Sequence, residues 1–242
     1  MIPKIIFQTY ENSYIDLEKH EKINSSSWVK LNPDYEYIYM GSLERDYYVK
    51  KLCPELYQLY KESSGMYQSD LWRYIMLYNY GGVYADMDSV CIKSLDMLFD
   101  RFPEDELFCS AIDINQYDGS SFVNNANFAS VKNSIYIKLT IDQFIEEYKN
   151  YLKDPNKPNQ PYLPRNTIFS EYILKNINKV NFNMNEISLH SSELKTSSSY
   201  LTNNYNLINF YGNQISFENL LKLHKNDFVL KNNNRILNDR EI

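Results

Sequence analysis

Residues 65–88 read GMYQSDLWRYIMLYNYGGVYADMD, and this stretch decides the architecture. Gly65 to Tyr80 predicts a helix, because Leu71, Tyr74, Ile75 and Tyr78 recur at three- and four-residue spacing and mark one apolar stripe. Gly81-Gly82 stops it. Val83-Tyr84-Ala85 then reads as a short buried strand that runs directly into Asp86-Met87-Asp88. A helix feeding a strand that ends in acids is a unit of an α/β sheet, in which ligands gather at the C-terminal ends of the strands.

The pattern extends in both directions. Upstream, Lys4 to Tyr10 (KIIFQTY) and Tyr35 to Met40 (YEYIYM) predict strands, the second entered through the turn Asn32-Pro33-Asp34 and closed by Gly41. Leu17 to Leu31 predicts a helix with Trp28 on its inner side, and Pro54 divides Leu43 to Ser64 into two short helices. Downstream, Glu106 to Ile114 predicts one strand and Asn124 to Ser130 another. Ile137, Ile141, Phe144, Ile145, Tyr148 and Leu152 mark a long amphipathic helix. Pro155, Pro158, Pro161 and Pro164 recur every three residues, the period of an extended polyproline connector. A helix around Thr167 to Ile177, a strand-like piece at Asn206 to Tyr211 and a helix near Phe217 to His224 complete an α/β chain.

The length of 242 residues suits a single domain spanning 1–242. With 43% hydrophobic and 23% charged residues the composition is that of a folded globular chain. A net charge of −6 and the lack of any long Lys/Arg run argue against nucleic acid as a partner. Cys53, Cys91 and Cys109 form no CxxC pair, so they suggest neither a disulfide framework nor a four-ligand zinc site, and a reducing, cytoplasmic setting is expected. The opening Met1-Ile2-Pro3-Lys4 lacks the features of a secretory signal, and no stretch approaches transmembrane length.

Asp86 and Asp88 are one residue apart, so an extended strand would project both carboxylates on one face at its C-terminal end. Two carboxylates so close repel unless a cation sits beside them. Oxygen ligands without nearby imidazole or thiolate favour Mg²⁺ or Mn²⁺, which share their remaining positions with water and phosphate oxygens. Asp70 and Arg73, three apart on the preceding helix, share a face and can pair or jointly bind polyol hydroxyls.

Ser69-Asp70-Leu71-Trp72-Arg73-Tyr74, Leu77, Gly81-Gly82-Val83-Tyr84 and Asp86-Met87-Asp88 together resemble the metal-dependent glycosyltransferases of sequence family 32. That family includes capsular-polysaccharide and fungal mannosyl transferases and is related to the clostridial glucosylating toxins. Ile2 to Tyr10 and Asn32-Pro33-Asp34-Tyr35 are similar to the family's opening, so the likeness covers about the first ninety residues. It implies a GT-A-like fold with a mixed, mainly parallel central sheet flanked by helices, residues 1–92 holding the nucleotide-sugar donor and 93–242 the acceptor. It further implies that Gln8 and Tyr10 recognise the base, Tyr10 standing where the family usually has Trp. Asp70 and Arg73 would meet the donor sugar and diphosphate, Tyr84 the ribose, Asp86 the sugar or ribose, and Asn127 the sugar, while Asp88 and Asp86 would hold the metal. Family members bring a His and a Gly-Ser-Trp-like element back from the tail. Here Asn209-Phe210-Tyr211-Gly212-Asn213-Gln214 puts Asn209 and Asn213 in the His and Ser places, with His190 and His224 as alternatives.

The implied reaction is retaining transfer of a hexose from a nucleotide diphosphate sugar, UDP-sugars first, to a hydroxyl of a glycan or other acceptor. It implies Mn²⁺ or Mg²⁺ and points to no clear protein nucleophile. Two other classes fit the same acids: a metal-dependent phosphodiesterase or nucleotide-sugar hydrolase, and a nucleotide- or glycan-binding protein that has lost turnover.

Overall fold

The structure is a computed structural model that describes residues 1–110, 112–114, 121–158, 161, 165–189, 206–208 and 214–216. Five strands form the central sheet: β1 (Ile5–Thr9), β2 (Glu36–Met40), β3 (Gly82–Ala85), β5 (Leu107–Cys109) and β8 (Asn127–Ser130), in the order β2-β1-β3-β8-β5. β1 lies parallel to β2 and β3, whereas β8 is antiparallel to both β3 and β5. Four strands therefore point one way and β8 runs against them, which is the mixed, mainly parallel sheet expected.

Alternation of side chains along the strands splits the core into two layers. Phe7, Tyr84 and Phe128 face one side, where they meet Trp72, Phe144 and Phe169. These come from α4 (Gly65–Tyr80), α6 (Ile135–Lys153) and α7 (Arg165–Lys175). Ile6, Val83, Ala85 and Phe108 face the other side, against Trp28 of α1 (Lys19–Leu31). Two shorter helices, α2 (Ser42–Leu52) and α3 (Pro54–Glu62), meet at Cys53, with Pro54 at the first helical position where a missing N–H costs nothing.

Gly81 and Gly82 do more than end α4. Both have positive φ, 68° and 107°, and a Cβ on Gly82 would lie 2.6 Å from the Ile5 carbonyl oxygen of β1. The double glycine lets the chain leave α4 and enter the sheet directly beside β1. Gly82→Ala is expected to cost about 1–3 kcal/mol through backbone strain alone. A fall in the urea midpoint would show it, and an unchanged midpoint would refute the close approach.

Several expectations need correction. The apolar run Glu106 to Ile114 is two strands: β5 stays in the central sheet, while β6 (Ile112–Ile114) pairs with β7 (Ser121–Val123) in a separate ribbon. The break falls at buried Ser110, whose hydroxyl donates to the Asn127 carbonyl at 2.7 Å, a tertiary bond that apolar patterning does not reveal. The helix expected from Leu17 starts at Lys19, after a 3₁₀ turn at Tyr14–Asp16, and Glu18 and Glu21 form a capping box. The Pro-spaced connector begins as a turn and not as polyproline. Asp154 accepts from the Asn156 N–H at 2.8 Å through its side chain and from the Lys157 N–H at 3.3 Å through its carbonyl.

β4 (Val90–Cys91) pairs with β9 (Ser188–Leu189), and α5 (Asp96–Phe99) follows β4. In the tail, β10 (Asn206–Ile208) pairs with β11 (Gln214–Ser216); the helix expected at Phe217 to His224 lies outside the described residues. All three cysteines are buried free thiols. Among the described residues no helix is long and apolar enough to cross a membrane.

Candidate active site

β3 ends at Ala85, and the acids that follow sit on a turn closed by the Ser89 N–H donating to the Asp86 carbonyl at 3.0 Å. The expected strand geometry for the pair is thus replaced by a turn, in which Met87 is buried, Asp86 is half-buried and Asp88 is exposed. Three residues on one face of α1 hold this turn and the strand after it. Asn24 donates through Nδ2 to the Met87 carbonyl at 3.0 Å, Trp28 through Nε1 to the Ser89 carbonyl at 3.1 Å, and the Ser27 hydroxyl accepts from the Cys91 N–H at 2.8 Å. Spacings of three and four bring these side chains together.

Trp28 is fully buried, so Trp28→Phe leaves the Ser89 carbonyl without its donor. The expected cost is about 1–3 kcal/mol of stability, with weaker cation-dependent donor binding because the acidic turn loosens. Denaturation and calorimetry on the same preparation check both; undiminished affinity would show that α1 does not set the turn.

Asp70 and Arg73 are both buried on α4. Nη2 of Arg73 lies 2.9 Å from Asp70 Oδ1 and 3.2 Å from Asp86 Oδ1, and Nη1 donates to the Asn125 carbonyl at 2.6 Å. The guanidinium also stacks on Tyr84, 4.2 Å from the ring centroid. Burial works against its charge, but Asp86, Tyr84 and Asp70 outweigh it and hold the Arg73 pKa above the usual value. The Tyr84 hydroxyl donates to Asp86 Oδ1. Burial first, and then the Asp86 charge, push its pKa well up against the opposing pull of Arg73, so it remains a proton donor.

Of this network, Arg73, Tyr84 and Asp86 line an open cavity of about 380 Å³. It is lined by Arg73, Tyr84, Asp86 and Asp88, by Tyr10, Glu11 and Glu21, and by Thr9, Met66, Ser69 and Met87. Tyr10 is 41% exposed, and its hydroxyl donates to Glu21, whose charge raises the Tyr10 pKa. Glu11 is tied at 2.6 Å to Arg45, a fully buried guanidinium that also donates to Thr9 Oγ1 and the Tyr10 carbonyl. Four lining carboxylates, set against Arg73 and against Arg45 paired with Glu11, leave this cavity acidic. A diphosphate would enter it only with added positive charge.

Of the candidates read from sequence, Tyr10, Arg73, Tyr84, Asp86 and Asp88 meet in this cavity. Gln8, Asp70 and Asn127 stand outside its lining. Gln8 is fully buried, donating through Nε2 to the Asp86 carbonyl at 3.1 Å and accepting from the Tyr37 hydroxyl at 2.8 Å, so it braces the acidic turn. Asn127 is buried at the start of β8, where its Oδ1 lacks a hydrogen-bond partner among the described residues. Asn209 and Asn213, and the alternatives His190 and His224, lie outside the described residues. Among those described, no group of three or more His, Cys, Asp or Glu side chains is arranged to hold a metal ion. Asp86 and Asp88 are nevertheless hard oxygen donors at an acidic, open cavity. Two protein carboxylates completed by water and phosphate oxygens is the donor set Mg²⁺ and Mn²⁺ accept.

Sequence patterning did not single out Glu11, Glu21, Arg45, Met66 or Asn125. Only Glu21 carried a signal, the capping-box position three residues after Glu18.

The sheet order and the acid-tipped third strand define a GT-A-like α/β fold, and the same fold is found in the PaToxG glycosyltransferase. That likeness has a TM-score of 0.51 at 17% identity, covering 73% of this chain and 70% of the other. Residues 18–108 match the family model described as a glycosyltransferase sugar-binding region containing a DXD motif, and this chain carries that region, with Asp86-Met87-Asp88 as the motif. A mannosyl phosphorylinositol ceramide synthase of Saccharomyces cerevisiae is 36% identical over 106 residues, 43% of this chain and 26% of that protein. Inositol phosphoceramide mannosyltransferase 2 of Schizosaccharomyces pombe is 29% identical over 152 residues, 62% of this chain and 41% of that protein. The chain thus spans between about a quarter and two fifths of the length of these curated relatives.

Proposed function

We propose that this chain is a divalent-metal-dependent hexosyltransferase that moves a sugar from a nucleoside diphosphate donor to a hydroxyl of a glycan or other acceptor. The observation that carries the proposal is that one acidic cavity is lined jointly by Asp86, Asp88, a buried arginine and an exposed aromatic ring. Asp88 and Asp86 would hold Mn²⁺ or Mg²⁺, which when bound supplies Lewis-acid neutralisation of diphosphate charge. Arg73, fixed by Asp70, Asp86 and the Asn125 carbonyl, presents positive charge that needs no reorganisation as the sugar–phosphate bond breaks. Tyr10, held by Glu21, offers a flat face to the base. Tyr84 keeps Asp86 oriented. The bond from the anomeric carbon to the diphosphate oxygen breaks and one to the acceptor oxygen forms on the same face, retaining configuration. The acceptor's proton leaves on the departing diphosphate.

Two donor classes are supported by different observations. Resemblance of the first ninety residues favours UDP-sugars, whereas the curated relatives with mannosyl activities in their names favour a mannosyl donor. A reducing cytoplasmic setting belongs to the same proposal. A thermal-shift screen of UDP-, GDP- and dTDP-sugars with and without Mn²⁺ tests the function. A matching donor at about 100 times its Kd should stabilise the protein by about 2.7 kcal/mol, and only with the cation present. Equal shifts without cation, or none with any donor, would overturn it. Hydrolysis of non-sugar phosphodiesters to a monoester and an alcohol would support a phosphodiesterase, and donor binding without transfer a binding protein.

A further inference from the structure

The connector between β7 and β8 bonds to Asp70, to Arg73 and to the backbone of Asp86. Asn124 Oδ1 accepts from the Ala126 N–H at 2.8 Å, which bends the chain into a tight turn. From that turn the Ala126 carbonyl accepts from the Asp86 N–H at 2.8 Å, and the Asn125 carbonyl accepts from Arg73 at 2.6 Å. The Asn125 side chain completes the set: its Nδ2 donates to Asp70 Oδ1 at 3.1 Å and to the Tyr74 hydroxyl at 2.8 Å. Asp70 Oδ1 is also the atom that pairs with Arg73. One residue therefore reaches both members of the Asp70–Arg73 pair, through its side chain and its backbone.

We propose that Asn125 is a positioning residue that sets the Asp70–Arg73 pair at the angle from which Arg73 faces the cavity. The inference rests on the sugar-transfer function proposed above and deepens it. Asn125 does not line the cavity, so its influence passes through Asp70 and Arg73. An amide suits the place for a chemical reason: it donates to a carboxylate and adds no charge to a buried cluster that already holds Asp70, Arg73 and Asp86.

Two variants test this in the full chain, with transfer rates and donor KM measured across pH. Asn125→Ala keeps the backbone acceptor for Arg73 and removes the donor to Asp70. It is expected to lower kcat by about 10²-fold and to weaken Mn²⁺-dependent affinity for the free nucleoside diphosphate by a clearly smaller factor, because Arg73 shifts while the acidic turn keeps its own bonds. Asn125→Asp is nearly isosteric but sets a second carboxyl against Asp70. The charged and titratable groups around that pair are Arg73 and Tyr74 from α4, and Asp86 and Tyr84 from the β3 side. At low pH a proton shared between the two carboxyls replaces the amide donor and turnover survives. At higher pH both carboxylates are charged, the pair is forced apart and turnover falls, so the variant loses activity with rising pH relative to the wild type. An active wild type matched at every pH by both variants would overturn the positioning role alone. A wild type that transfers no sugar from any donor would overturn the proposed function and this role with it. Equal losses in kcat and in diphosphate affinity, flat with pH, would mark Asn125 as merely structural and overturn the inference.

Discussion

Asp88→Ala is expected to fold as well as the parent chain, to lose Mn²⁺-dependent donor affinity and to transfer sugar far more slowly. Asp88 is exposed on the cavity wall, and the turn that carries it is held by Asn24 and Trp28 through the backbone of Met87 and Ser89. Under the proposed function, truncating its side chain removes a metal ligand and leaves the scaffold. Metal stabilisation of a phosphoryl leaving group contributes several kcal/mol, so its loss should lower the rate on the order of 10³-fold. Calorimetry with donor and Mn²⁺, beside a denaturation curve, checks both halves. Unchanged Mn²⁺-dependent affinity would remove Asp88 from the metal site.

Arg73→Ala is expected to have the largest effect on stability. Arg73 and Asp70 have side chains only 5% and 6% exposed, so the substitution leaves the Asp70 carboxylate in the interior without the cation it shares with Asp86. Removing one partner of such a buried pair typically costs about 3–5 kcal/mol. The Tyr84 ring also loses its cation and the Asn125 carbonyl its donor. Arg73→Lys keeps a charge but not the planar fork that reaches Asp70, Asp86 and Asn125 together, so it should recover part of the stability and little of the activity. Chemical denaturation separates these cases. A loss below about 1 kcal/mol for Arg73→Ala, the range of a surface pair, would contradict the buried network. Asp70→Ala tests the partner: a stable variant with impaired sugar recognition assigns Asp70 to the donor, and an unfolded one assigns it to structure.

What was legible in the sequence is what local spacing controls. The helix from Gly65 to Tyr80 was readable to its ends because a three- and four-residue stripe runs into a double glycine, and the strands around Phe7 and Ile38 because branched and aromatic residues crowd short runs. The members of the cavity wall contributed by β3 and α4 were readable for the same reason: Arg73, Tyr84, Asp86 and Asp88 lie within sixteen residues of one another. Arg45 and Glu11 meet across more than thirty residues, and Asn125 meets Asp70 across fifty-five. No local pattern encodes such pairs, since each depends on which strand ends the sheet sets side by side. The acidic turn shows the same limit. Period-two spacing predicts a strand through Asp86 and Asp88, but bonds from Gln8, Asn24 and Trp28 to its backbone end the strand at Ala85.

The most direct measurement is a crystal soaked with Mn²⁺ and a nucleotide sugar, examined at the manganese absorption edge. The proposed function predicts an anomalous peak against Asp88, shared with diphosphate oxygens, with the Arg73 guanidinium turned toward the same diphosphate. A donor bound elsewhere, or a cavity that stays empty of manganese while the Asp88 oxygens point into solvent, would contradict it.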